Sequence, residues 1–191
     1  MARSIRALVQ DFTRGSEDAF AELVRLYKKK IYYLAHQILG NHLDADEVVQ
    51  ETFVRIYRKQ QEIQHVKNFT SFVIKIATNY AIDLLRKQKG RGQLDDPSLL
   101  PGRVQVELAR RIKTPSESYR DEEIMVEIWT ALGTLPPRQK ITAILHDVEG
   151  YSKSEVAAIL GCPEATVRSN LHIARTKLRK ILRKRLADRS K

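Results

Sequence analysis

The stretch Ser152-Lys-Ser-Glu-Val-Ala-Ala-Ile-Leu-Gly-Cys-Pro-Glu-Ala-Thr-Val-Arg-Ser-Asn-Leu-His-Ile-Ala-Arg175 constrains the fold more than any other part of the chain. Ser152 and Glu155 have the spacing of a capping box, in which each side chain satisfies a free backbone N–H at the first turn of a helix. Val156, Ala157, Ile159 and Leu160 give that helix an apolar side. Gly161 then ends it, because glycine enters the left-handed conformation without steric cost. Pro163 restarts a helix at once, since its ring suits the first helical position. Val167, Leu171, Ala174, Leu178 and Leu182 recur from there at spacings of three and four. Two helices joined by so tight a turn predict a helix-turn-helix within residues 135 to 182.

In that motif the second helix lies in the DNA major groove. Its outward positions are Glu164, Thr166, Arg168, Ser169, Asn170, His172 and Arg175. Arginine bonds bidentately to guanine and asparagine to adenine, and a helix N-terminus favours phosphate. A basic run follows: Arg175, Lys177, Arg179, Lys180, Arg183, Lys184 and Arg185. A hairpin that merely packs against protein would explain the tail but not the coincidence of capping box, glycine turn, proline restart and polar outer face.

The charge of the 191 residues is divided, with net values of +6 over 1–92, −3 over 93–137 and +8 over 138–191. Two basic bodies about an acidic connector suit a polyanion touched at both ends. The single cysteine, Cys162, excludes an internal disulfide and any multi-cysteine metal site. No apolar run approaches the length of a membrane span and the first residues lack a signal-peptide core, so no membrane insertion and a cytoplasmic location are expected.

In chain order, residues 1–15 predict a short leader helix or a frayed end, interrupted at Gly15. Ser16 caps a helix with Phe20, Leu23, Val24, Tyr27, Ile31, Leu34 and Ile38 inward, ending at Gly40-Asn41. Its Lys28, Lys29 and Lys30 form a solvated run. Asp44 and Glu47 form a second capping box for a helix to about Lys59, with Ala45, Val48, Val49, Thr52, Ile56 and Tyr57 toward the core. Asp46, Glu47, Gln50 and Glu51 lie on or near another face with Arg55 on its flank, a polar patch suited to docking protein. Caps and the macrodipole explain carboxylates in a first turn better than metal ligation does.

Gln60 to Asn68 lacks apolar periodicity and predicts a loop. A helix from about Phe69 to Lys87 follows, burying Phe72, Val73, Ile76, Ala77, Tyr80, Leu84 and Leu85. Lys75, Asn79, Asp83 and Arg86 line its opposite side at spacings of four, four and three, with Lys87 beside them. They suit either solvent, with Asp83 paired to a neighbouring cation, or DNA. Gln93 to Ser116 holds three turn signals and predicts a linker, with a brief amphipathic turn at Val104 to Ile112. Beyond it come a helix from about Ser118 to Leu132, with Ile124, Ile128 and Leu132 inward and Trp129 at their edge, and a helix opened by Pro136-Pro137 with Ile141, Ile144 and Leu145 inward. The expected fold is all-α, with helical domains at 1–92 and 117–191 joined by a flexible linker at 93–116.

The segments Asp44 to Tyr57, Asn68 to Arg86, Leu135-Pro-Pro-Arg-Gln139 and the helix-turn-helix, in this order and spacing, resemble bacterial RNA polymerase sigma factors of the extracytoplasmic-function (ECF) group. The resemblance covers about Asp18 to Arg185. It implies promoter DNA and the polymerase core as partners, through the beta-prime clamp helices and the beta flap, with an anti-sigma factor as a further partner. Asp46, Glu47, Gln50 and Glu51 would face the clamp helices. Gln61, Gln64, His65 and Asn68 would take a flipped non-template base, and Lys75, Asn79, Asp83 and Arg86 would contact the minus-ten element. Glu164 to Arg175 would read the minus-thirty-five element, with Arg168, Ser169 and Arg175 at the family's contact positions. Phe72 stands where relatives often have Trp, and Asn170 and Ile173 where many have basic residues.

Extruding a base costs a few kcal/mol, which binding can supply, so opening DNA requires no catalytic group in this chain. No cofactor, metal or enzymatic activity is expected. The loop lacks an aromatic residue, which predicts limited melting power. The linker's 24 residues average about 27 Å as a coil, short of two helical turns of DNA at about 34 Å each, so polymerase is expected to stretch or thread it. Two rivals are an autonomous helix-turn-helix regulator, which leaves the first ninety residues unassigned, and a DNA-processing enzyme, for which the scattered His36, His42, His65, His146 and His172 supply no paired site.

Overall fold

Ser4 opens the first helix, α1 (Ile5–Thr13), by accepting the Ala7 N–H at 3.2 Å. The computed structural model describes residues 3–63, 66, 68–90 and 119–189, and among them the chain is helical without strands. It divides into two compact units. The expected linker and its amphipathic turn fall almost wholly on residues 91–118, outside the described residues.

The first unit packs α1 against α2 (Glu17–Leu39), α3 (His42–Arg58), the short α4 (Gln60–Ile63) and α5 (Phe69–Gly90). Far from fraying, α1 buries Leu8 and Phe12 completely. The chain then reverses at Gly15, whose φ of +97° is a conformation that side chains rarely adopt. Ser16 caps α2 as expected, accepting the Ala19 N–H at 3.2 Å, and Gly40 ends it in the left-handed region. Leu23, Ile31, Leu34 and Ile38 of α2 meet Val48 and Ile56 of α3 and Val73, Ile74, Ala77 and Ala81 of α5 in the core. Each fully buried Leu or Ile contributes about 1.5–3 kcal/mol through area removed from water. Phe12, Phe20, Phe53 and Tyr57 close one end, with Phe12 stacked on Phe20 at 5.0 Å and Tyr57 edge-on to Phe20 at 5.2 Å.

Four expectations for this unit need correction. The cap of α3 is Asn41, whose Oδ1 accepts the Asp44 N–H at 2.8 Å while its Nδ2 donates to Asp44 Oδ2 at 2.6 Å, so Asp44 and Glu47 form no capping box. Tyr57 is 50% exposed and only leans on the aromatic cluster. Residues 60–63 are helical, and Ile63 is fully buried. On α5 the buried row is Phe69, Val73, Ile74, Ala77, Thr78, Ala81, Leu84 and Leu85. Phe72, Ile76 and Tyr80 are only half-buried, because the small residues Ala77, Thr78 and Ala81 let the helix approach closely and turn its larger side chains to the flanks.

The second unit comprises α6 (Tyr119–Gly133), α7 (Pro137–Ala143) with its π-helical continuation Ile144–Val148, α8 (Lys153–Leu160) and α9 (Glu164–Arg189). Pro137 occupies the first turn of α7, and Ile141, Ile144 and Leu145 are buried as expected. Trp129 lies in the core with Ala131 and Leu132 instead of at its edge, while Ile128 is half-buried and the side chain of Ile124 lies outside the described residues. The buried Tyr151 sits on the turn before α8, its carbonyl accepting from the His146 ring at 2.6 Å.

Candidate nucleic-acid interface

The helix-turn-helix forms as its sequence dictates. Glu155 Oε2 accepts the Ser152 N–H at 2.9 Å, and Ser152 Oγ accepts the Glu155 N–H at 3.2 Å, completing the capping box. These bonds hold the Glu155 carboxyl below its ordinary range. Gly161 turns the chain at φ +61°. Pro163 stands one position earlier than expected, just before α9, with its carbonyl accepting the Thr166 N–H at 2.9 Å. Val167, Leu171 and Ala174 lock α9 to the core, and Leu178 and Leu182 are half-buried.

The outer face of α9 presents Arg168, Ser169, His172 and Arg175 fully to solvent and Glu164, Thr166 and Asn170 partly. Two of its cations are already paired. Arg168 bonds Glu164 one turn back at 2.6 Å. Arg175 reaches Asp147 with Nη2 to Oδ1 at 2.5 Å, and this carboxylate raises the guanidinium above its ordinary pKa. Lys177 donates to Gln139 at 3.2 Å. Arg175 is therefore held in one orientation by a residue 28 positions away, while the side chains of Ser169 and His172 remain open to solvent.

In the first unit, Lys75, Asp83 and Arg86 are exposed on α5, and Asn79 is half-buried beside them. Asp83 and Arg86 pair at 3.4 Å in solvent. Lys87 is exposed next to them. Of the loop residues, Gln61 is exposed on α4, and Asn68 is exposed with its Oδ1 accepting the Ser71 N–H at 3.1 Å, so it caps α5. Gln64 and His65 lie outside the described residues.

The polar patch on α3 is only partly open. Glu47 accepts from the Tyr80 hydroxyl at 2.5 Å, and Glu51 accepts from Arg55 Nε at 2.7 Å. Arg55 also lies over the Tyr80 ring, 4.8 Å from its centre. Asp46 and Gln50 are exposed and form no hydrogen bond among the described residues. Sequence reasoning missed the apolar members of this surface. Leu43 is 84% exposed and Val54 is also exposed. They flank Asp46, Glu47 and Gln50 at helical spacing, and counting three and four residues out from those positions would have found them. Among the described residues, no group of three His, Cys, Asp or Glu side chains could hold a metal, and no helix is long and apolar enough to cross a membrane.

Residues 23–91 match the family model described as Sigma-70 region 2, and residues 125–178 match Sigma-70, region 4. The chain is 30% identical over 187 residues to the ECF RNA polymerase sigma factor SigW of Bacillus subtilis, covering 96% of this chain and 99% of that protein. It is 34% identical over 167 residues to the ECF sigma factor SigE of Mycolicibacterium smegmatis, covering 87% of this chain but only 63% of that protein. Two solved structures share the fold. CnrH in complex with the cytosolic domain of CnrY superposes with a TM-score of 0.65 at 23% identity, covering 93% of this chain and 96% of that one. RpoE in complex with the anti-sigma factor NepR from Bartonella quintana gives 0.62 at 22%, covering 86% and 96%.

Proposed function

Because the chain belongs to the extracytoplasmic-function group of RNA polymerase sigma factors, we propose that it binds the polymerase core, directs it to particular promoters and helps open them. The observation that carries this reading is the pairing, in one chain, of a region 2 unit bearing an exposed Lys75, Asp83 and Arg86 row with a region 4 unit bearing the helix-turn-helix. The domains run from 1 to 92 and from 117 to 191, the linker between them spanning the distance between promoter elements. An autonomous helix-turn-helix regulator would leave residues 23–91 without a role.

The division of labour follows from chemistry. Asp46 and Gln50, with Glu47 and Glu51 held behind them, face the beta-prime clamp helices. Gln61, Gln64, His65 and Asn68 border the place where an extruded base is caught, and Lys75, Asn79, Asp83 and Arg86 follow the adjoining strand. Glu164, Thr166, Arg168, Ser169, Asn170, His172 and Arg175 read the minus-thirty-five duplex through base edges and phosphates. Region 4 also meets the beta flap. Base capture supplies the melting energy, so the chain acts as an initiation factor in the cytoplasm without cofactor or catalytic group. The solved relatives bound to partner proteins support an anti-sigma factor as the element that holds it inactive.

Permanganate footprinting of a promoter library with sigma-free core polymerase, with and without the chain, tests this reading. Thymines that become reactive near the start site only when both are present are the expected result. Protection of duplex DNA by the chain alone, with no opening by core, would overturn it. Alanine at Gln61, Gln64, His65 and Asn68 together should abolish opening and leave core binding intact.

A further inference from the structure

We infer that α1 forms one wall of a cleft that holds a single DNA strand, with its arginines on phosphates and its partner wall against bases. This deepens the function proposed above and rests on it. A cleft of about 850 Å³ lies between α1 and the stretch that joins α4 to α5. Arg6, Gln10 and Arg14 line it at intervals of four residues. They therefore form one row along α1, about 12 Å long at about 1.5 Å rise per residue.

The opposite wall is apolar, built from Ile63, Val66 and Phe69, with Asn68 and Thr70 contributing polar groups. Both walls are fixed. Gln60 Nε2 donates to the Phe12 carbonyl at 2.5 Å, tying α4 to the end of α1, whose Leu8 and Phe12 are fully buried. Tyr27 shares a 2.6 Å hydrogen bond with Thr70 and meets the Phe69 ring edge-on at 5.6 Å. Arg6 and Arg14 are exposed and form no ion pair among the described residues, while the acidic residue of α1, Asp11, pairs with Arg3 at 3.7 Å.

This chemistry selects the occupant. Guanidinium groups in a row bind successive phosphates, an apolar slot accepts base faces, and amides at the rim offer donors and acceptors to base edges. The volume is that of a small-molecule pocket and accommodates unstacked nucleotides, not a double helix. The cleft is also continuous with Asn68, at the rim already proposed for base capture. An acidic helix from a protein partner is the competing occupant. It would use the arginines but leave the Gln10 and Asn68 amides without function.

The test uses holoenzyme assembled from sigma-free core and the full chain. The probe is a fluorescein-labelled pool of random single-stranded DNA of about 12 nucleotides, within the range one single-strand-binding module covers. Anisotropy titrations at several salt concentrations give affinity and salt dependence. Arg6→Gln with Arg14→Gln should weaken binding roughly tenfold and flatten the log K against log salt slope by about 1.4, the value for two phosphate contacts on a single strand. Arg6→Lys with Arg14→Lys should keep the slope. An unchanged slope would overturn the inference, as would an equal flattening by Lys28→Gln with Lys29→Gln, which would make the effect one of net charge. A loss of core affinity with single-strand binding intact would assign the cleft to protein and overturn it too. If unmodified holoenzyme binds the pool no better than core alone, the proposed function fails with it. If holoenzyme binds and only the arginine variant is without effect, the function stands and this inference alone falls.

Discussion

The Tyr80 hydroxyl donates to Oε1 of Glu47 across 2.5 Å, joining α5 to α3. The bond couples the helix proposed to follow DNA to the helix proposed to dock on polymerase. It stabilises the neutral phenol, and with burial and the nearby Glu47 and Glu51 charges it raises the Tyr80 pKa to about 12. The folded value exceeds the ordinary 10, so this stabilisation is complete below pH 10 and is lost as pH rises from about 10 to about 12. Spectrophotometric titration should show one of the seven tyrosines ionising near 12, and Tyr80→Phe should delete that phase. The variant should lose at most about 1 kcal/mol at neutral pH, because the bond lies at the solvent boundary. Retention of the late phase in the variant would place it on another residue.

Leu43 is the most exposed large apolar side chain among the described residues, and it precedes Asp46 and Glu47 by three and four positions on α3. An apolar side chain in that setting contributes little to folding and is suited to anchor an interface. Leu43→Glu should weaken core binding tenfold or more, measured by fluorescence polarisation of the labelled chain, while the thermal midpoint changes by less than about 2 °C. Unchanged core affinity would remove Leu43 from the docking surface.

Local signals explain what was legible in the sequence. Ser16, Gly40, Ser152, Glu155 and Gly161 act on neighbouring backbone, so their roles follow from spacing alone. The cap of α3 was misplaced by three residues because Asn41, beside the glycine that ends α2, reaches the free N–H groups before Asp44 can. The buried row of α5 was misjudged because large apolar residues outweigh Ala and Thr in a periodicity count, whereas close helix packing selects the small ones. Pairings such as Arg175 with Asp147 and Tyr80 with Glu47, separated by 28 and 33 positions, depend on how helices cross and leave no local trace. The outward residues of α9 were legible as a set, but which of them were already paired was not.

Ser152→Ala removes one half of the capping box of α8 and should cost about 1 kcal/mol. The Glu155 carboxyl is held below its ordinary pKa by Ser152, so its contribution is present above the unfolded carboxylate value and is lost as pH falls through the folded one. Acid unfolding followed by Trp129, the chain's single tryptophan and a buried reporter of the second unit, should therefore begin at higher pH in unmodified protein than the core alone requires. In Ser152→Ala that Glu155-linked step should vanish. An unchanged acid limb would show that the solvent-exposed box contributes nothing measurable.

Lys140 is an unusual member of the core of the second unit. It is 9% exposed, and burial lowers its pKa from the ordinary 10.5 to about 8. Keeping it charged costs the fold about 3 kcal/mol at neutral pH, the free energy of a shift of that size. Below pH 8 both folded and unfolded chains carry the proton and the cost is complete. Between about 8 and 10.5 the unfolded chain binds the proton more strongly than the folded one, so stability must rise with pH. Urea unfolding read by Trp129 fluorescence should show that rise in unmodified protein. Lys140→Met keeps the length and the apolar stem without the charge, and should be more stable by about 1–3 kcal/mol at pH 7 and flat above pH 8. A less stable variant with the same pH dependence would mean that the ammonium group is satisfied where it lies, and that desolvation does not govern it.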